Sequence, residues 1–219
     1  MLRLALEKNG RKNLRILCLG AHSDDIEIGC GGTILELLRT RRDLEFHWVV
    51  FSSGQDRERE ARRSAALFLE GAAASHVTIL DFRNSFFPFE GVQIKEFFED
   101  LKNRLSPDLI LTHTRDDLHQ DHRVINQFSW NTWRNHLILE YEIPKYDGDL
   151  GRPNFFVPFD RKICDRKIRH LMSCFKTQRN KHWFSPDTFQ GLMRIRGLEA
   201  NSPGKFAEAF YARKTLLGA

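Results

Sequence analysis

The sequence predicts an α/β fold: a Rossmann-like, open, mostly parallel sheet with helices on both faces, built as a single domain over residues 1–219. Three observations predict it. Short β-rich runs alternate with longer helical patterns as far as residue 143, which is the signature of βαβ units. The chain has 219 residues and 41% apolar content, which suits one large core better than two small ones. Two strongly polar clusters follow directly on apolar runs, where loops leave the carboxyl ends of parallel strands.

Residues 1–13, "MLRLALEKNGRKN", read as an N-terminal extension, too polar and too short in its apolar part for a signal peptide. "LRILCLG" is a buried first strand. The Gly31-Gly32 pair then forms a turn that lets a helix through "GTILELLRT" approach closely. "LEFHWVVFSS" is a second strand, and "DREREARRSAALFLEG" an amphipathic helix ended by Gly71. "HVTILDF" gives a third strand, "IKEFFEDLKNRLS" a helix stopped by Pro107, and "PDLILTH" a fourth strand. "DHRVINQFSWNTWRNH" is helical and "LILEYEI" a fifth strand. Residues 144–158, with three of the seven prolines, are expected to form a loop near the site. Residues 160–219 read as a basic helical part closed by a final strand, "GKFAEAFYARK".

Composition excludes some functions. A net charge of +5, spread along the chain, gives no nucleic-acid footprint. No stretch approaches the ~18 apolar residues of a membrane span, so a cytoplasmic location is expected. Cys18, Cys30, Cys164 and Cys174 form no C-x-x-C pair and read as reduced, packed thiols. "GCGG" lacks the third glycine of a dinucleotide fingerprint, which leaves a nucleotide-binding enzyme as a weak alternative.

The chemistry is carried by "AHSDDIEIGCGGT", residues 21–33, and "THTRDDLHQDHR", residues 112–123. Strands one and four are neighbours in the usual doubly wound order, which brings these clusters to one edge of the sheet. His22 and Asp25, as H-x-x-D, can reach one ion from a single turn, and His119 or His122 can add a third ligand. Three nitrogen and carboxylate ligands with an open fourth position make a catalytic zinc site. Asp24 is then left beside the metal, placed to take a proton from water. Each cluster alone has a plainer reading, "HSDD" as a helix cap and "HQDH" as a solvated helix start. Two of them at adjacent strand ends favour the metal.

These residues resemble the LmbE-like or PIG-L metal-dependent N-acetylglucosaminyl deacetylases, whose motifs are A-H-P-D-D before a glycine-rich stretch and H-x-D-H after the fourth strand. The resemblance runs from Leu14 to Lys214 and includes "REREARRSAALFL", "EYEIP…PNFFVPFD" and "RGLEANSPGKFAEAF". It implies zinc, or another divalent metal, on His22, Asp25 and His122. It implies Asp24 as general base, a protonated His119 that holds the oxyanion, and Asp121 as the carboxylate orienting His119. Ser23 replaces a common proline, Ile26 stands where a glutamate often follows, and Asn84 replaces an acid of many relatives, which bears on substrate contacts.

The reaction implied is removal of an N-acetyl group from an amino sugar, a nucleotide sugar or a glycolipid. A catalytically silent carbohydrate-binding protein is the competing reading, disfavoured because all the motif residues are present. His113 is read as structural more than functional, and His47, His76 and His136 as structural or exposed. The stretch 160–182, which includes His170 and His182, is read as the solvated face of helices, with phosphate recognition as the sharper alternative. The phenylalanines of "NSFFPFEG" and "RPNFFVPF" could line a substrate mouth or be covered in a homo-oligomer.

Overall fold

The computed structural model describes residues 5–6 and 10–216. Most of the predicted N-terminal extension, residues 1–4 and 7–9, lies outside them, as do residues 217–219. Seven strands form one sheet in the order β3-β2-β1-β4-β5-β7-β6. In chain order the elements are β1 (Leu14–His22), α1 (Asp25–Thr40), β2 (Leu44–Ser52), α2 (Gln55–Phe68), β3 (Ala74–Ile79), α3 (Gly91–Arg104), β4 (Leu109–His113) and α4 (Gln120–Thr132). They continue with β5 (Leu137–Tyr141), β6 (Phe155–Phe159), α5 (Arg161–Cys174), α6 (Pro186–Glu199) and β7 (Phe206–Tyr211). β1 to β5 pair in parallel, and β7 runs antiparallel to both β5 and β6.

Period-two alternation sends β1 and β2 into two cores. Ile16 and Cys18 of β1 join Phe46 and Trp48 of β2 on the face covered by α1, α2, α5 and α6. Leu17, Leu19 and Ala21 join Val49 and Phe51 on the face covered by α3 and α4. Strand order reverses at β1, whose neighbours are β2 and β4. The loops after β1 and β4 therefore leave the sheet side by side, where such folds bind ligands.

Two expectations need correction. The glycines after "HSDD" make no turn, because α1 begins at Asp25 and runs through them. They serve close packing: a Cβ on Gly29 would lie 2.1 Å from the Tyr141 ring and one on Gly31 2.5 Å from Phe68. That also removes the space a dinucleotide would need at "GCGG". Secondly, the segment 144–158 is not loop throughout, since β6 begins at Phe155 and pairs with β7 from Phe155↔Phe210 to Phe159↔Phe206. Pro158 lies within β6, an edge strand, where a missing amide is tolerated. The two aromatic segments are only partly exposed: Phe87 and Phe159 are core residues, while Phe89 projects into solvent.

Candidate metal centre

The pairing of β1 with β2 ends at His22↔Ser52, and the chain turns at once into α1 with Asp24 at its N-cap. One turn of helix swings the Asp25 carboxylate back, so that its Oδ2 accepts the His22 amide at 2.6 Å. On the neighbouring strand, β4 ends at His113, and a short loop leads to His119 at the N-cap of α4. His122, near the start of α4, points back at β1. The result is a triangle of buried ligand atoms: His22 Nδ1 to His122 Nε2 is 3.1 Å, His22 Nδ1 to Asp25 Oδ2 3.3 Å, and His122 Nε2 to Asp25 Oδ2 3.5 Å. Ligands at zinc–nitrogen and zinc–oxygen distances in a tetrahedron lie about 3.3 Å apart. The donor set therefore fits a single divalent ion.

Each histidine of the triangle is held from behind by a carboxylate. His22 Nε2 lies 3.1 Å from Asp121 Oδ2, and His122 Nδ1 lies 2.8 Å from Asp117 Oδ2. Such partners fix which ring nitrogen faces a metal and raise its basicity. Asp121 also accepts the amides of Ser85 and Phe87, at 2.7 and 3.2 Å, which ties α4 to the segment after β3. Asp117 accepts the His119 amide at 2.8 Å and pairs with Lys145 at 3.0 Å. Lys145 also pairs with Asp149, which ties the first part of the 144–158 segment to Asp117.

These contacts set the charges. Burial opposes protonation of His22, but Asp25 and Asp121 together carry it up to about 9. Burial, together with His113 nearby, pushes His122 down to about 3. Against its burial, the histidines around it hold Asp25 well below the usual carboxylate range, and His122 and Lys145 do the same for Asp117. Asp24 goes the other way: burial raises it, against the pull of Arg57. Arg57 on α2 donates to Asp24 Oδ1 at 2.9 Å, while the buried Asp24 Oδ2 has no hydrogen-bond partner among the described residues.

The carboxylate of Asp121 is turned to His22, not to His119 as the family pattern suggested. It is the Asp121 backbone amide that meets His119, donating to Nδ1 at 3.2 Å. A cap bond of this kind uses the Nδ1 lone pair, so the neutral ring carries its proton on Nε2. Burial and the nearby His22 charge lower His119 from its ordinary value. With Nδ1 engaged as an acceptor, Nε2 is the ring nitrogen left to donate.

His113 is fully buried, and its Nε2 accepts the Ala21 amide at 3.0 Å. That nitrogen also lies 3.3 Å from Asp25 Oδ2, so Asp25, His113 and His122 make a second close group. The Ala21 amide already takes the lone pair, which makes His113 a brace for the β1 end. The basic stretch divides. Arg161 and Arg166 pair with Asp165 and Glu70, and Lys167 is buried against Glu208 at 2.6 Å, whereas Lys181 lies near enough to lower Asp24. Sequence reasoning missed Asp117, Arg57 and Lys145. Asp117 had a signal, being the second acid of "RDD" ahead of "HQDH"; Arg57, in a helix full of exposed arginines, had none.

Fold and centre together define an α/β protein with a metal-competent His/Asp cluster at the switch point of its sheet. A profile of the family described as GlcNAc-PI de-N-acetylase, PIG-L, matches residues 17–133, more than half of the chain. The chain belongs to this family, the LmbE-like deacetylases. It is 30% identical to the "uncharacterized deacetylase YaiS" of Escherichia coli (strain K12) over 154 residues, 64% of this chain and 80% of that protein. Among solved structures it resembles N,N'-diacetylchitobiose deacetylase from Pyrococcus horikoshii, with a TM-score of 0.66 at 19% identity, covering 90% of this chain and 82% of that one. It also resembles GalB, the 4-carboxy-2-hydroxymuconate hydratase of Pseudomonas putida KT2440, with a TM-score of 0.73 at 16% identity, covering 94% of this chain and 98% of that one. Such distant likenesses carry the fold alone. One neighbour is a deacetylase and one a hydratase, so the reaction must be argued from residues.

Proposed function

We propose that the protein hydrolyses the N-acetyl group of an amino sugar or its glycoconjugate, with one divalent ion, zinc by donor chemistry, held by His22 Nδ1, Asp25 Oδ2 and His122 Nε2. The observation that carries this is the triangle of 3.1, 3.3 and 3.5 Å. Its donors are backed by Asp121 and Asp117, and a free carboxylate oxygen of Asp24 lies beside it. When bound, zinc supplies a Lewis acid for the amide carbonyl and brings the pKa of water down to about 7.

The remaining work falls to side chains. Arg57 fixes one oxygen of Asp24, which leaves Oδ2 to take the proton of the attacking water. Burial keeps that carboxyl basic enough to do so and to return the proton to the departing amine once the C–N bond breaks. His119, with its proton on Nε2, donates a hydrogen bond to the negative charge that develops on the carbonyl oxygen. Asp121 acts through His22 and positions a ligand. Lys181 and Arg57 give the surroundings a positive charge, which favours a substrate carrying phosphate, as in a nucleotide sugar or glycolipid. Among the described residues no helix is long and apolar enough to cross a membrane.

The test is acetate release from a panel of N-acetylated sugars, free and phosphate-linked, before and after chelation. Release that chelation abolishes and zinc restores is the expected result. A protein that releases no acetate from any of them, or one indifferent to chelation, would remove the proposal.

A further inference from the structure

A second group of metal-ligating side chains lies on the same sheet, away from the catalytic loops. Glu45 and His47 are two residues apart on β2 and so share a face, the one that continues into the buried Val49 and Phe51. His76 is the register partner of His47 on β3. The three occupy the starting ends of their strands. His47 is five residues before Ser52, where β2 reaches the catalytic end, a separation of roughly 16 Å at the rise of a strand.

The geometry is that of a partly assembled chelate. Glu45 Oε1 lies 3.0 Å from His47 Nε2, the spacing of adjacent ligands on one ion. The His47 and His76 rings stack with centroids 4.6 Å apart and 19° between their planes. One ligand atom from each residue can be chosen so that all three lie within 4.8 Å of one another. His76 is exposed, so its ring is free to turn the short distance that would close the set. β3 is an edge strand, which leaves the remaining coordination positions open to water. Arg15, the register partner of Glu45 on β1, sits with its Nε 3.5 Å from the same carboxylate oxygen and is the one cation that competes for it among the described residues.

We propose that Glu45, His47 and His76 form a second site for a divalent transition ion, of the zinc, nickel and copper class. Two imidazoles and a carboxylate select these ions over magnesium and calcium, which prefer all-oxygen sites. A bound ion would cross-link β2 to β3 at the sheet edge, independently of the catalytic reaction.

The experiment uses untagged full-length protein already loaded with one equivalent of zinc, titrated with Ni²⁺ while the histidine ring resonances are followed by NMR. The site predicts that a second equivalent broadens His47 and His76 ahead of the other histidines. In His76→Ala the second binding should weaken by more than about tenfold while the first metal and the melting temperature stay as in the parent. Glu45→Gln should weaken it as well, with both imidazoles still in place. If the parent takes up no second ion, or if His76→Ala binds it as tightly as the parent, the site does not exist. Broadening centred on other histidines would refute it equally.

Discussion

Asp117 and Asp121 each hold the far nitrogen of a histidine in the triangle, and their loss is expected to be felt in metal affinity before chemistry. Asp117→Asn and Asp121→Asn should each weaken zinc binding by about 10- to 100-fold, read by competition with a chromophoric chelator; wild-type affinity in both would mean that these contacts do not tune the site. His119→Ala should behave in the opposite way, with metal content kept and turnover reduced by about 10²- to 10³-fold. Zinc analysis and initial rates on the same samples separate the two, and a His119→Ala protein without zinc would make that residue a ligand. At this scale the sequence was legible where two motifs meet, since "HSDD" and "HQDH" follow adjacent strands. It was not legible where a role depends on which way a side chain turns. Nothing in "HQDH" tells that the Asp121 carboxylate reaches across to β1 while its amide is capped by His119.

Helix α1 delivers Asp24 and Asp25, and its position rests on contacts that admit no side chain. Gly29 faces the Tyr141 ring, whose hydroxyl donates to Leu19 O at 2.6 Å and so helps to hold β1. Gly29→Ala is expected to cost about 1–3 kcal/mol by overpacking, which a melting curve would show as a fall of about 2–4 °C per kcal/mol; an unchanged melting temperature would mean the helix shifts freely. A buried ion pair seats the middle of the same helix. Lys167 on α5 donates to Ile28 O and to Glu208, each at 2.6 Å, and Glu208 on β7 accepts the amides of Gly32 and Thr33. Lys167→Met strands the Glu208 charge and should cost about 3–5 kcal/mol, with part recovered when Glu208→Gln is added. Denaturant titration of the single and double variants tests this, and equal stability of the two would show that the pairing carries no weight. Apolar runs and helix periodicity made most elements readable, from the buried run of β1 to the amphipathic α2. The start of α1 was misplaced because glycine is a helix breaker by propensity, and only the packed partners Tyr141, Phe68 and Phe159 explain why three of them lie inside a helix.

For the whole molecule the paired charges of the centre couple folding, metal and pH. In the metal-free protein His22 is raised to about 9, so its contribution to stability is complete below its unfolded value of about 6.5 and is lost as pH rises towards 9. Asp25 and Asp117 are depressed, so theirs is present above the unfolded carboxylate range and is lost as pH falls below that range towards their depressed folded values. A ligand histidine must be neutral, and zinc entering at about pH 7.5 should therefore expel close to one proton from His22. Calorimetry in two buffers of different ionisation heat counts that proton, and identical heats would contradict the linkage. The central claim, that Asp24 takes the proton beside an ion it does not bind, is tested most directly by acetate released from an N-acetylated sugar by wild type and Asp24→Asn, each carrying one equivalent of zinc. The account predicts equal metal content and a rate lower by about 10²-fold or more in the variant. Turnover by Asp24→Asn at the wild-type rate with its zinc in place would contradict it.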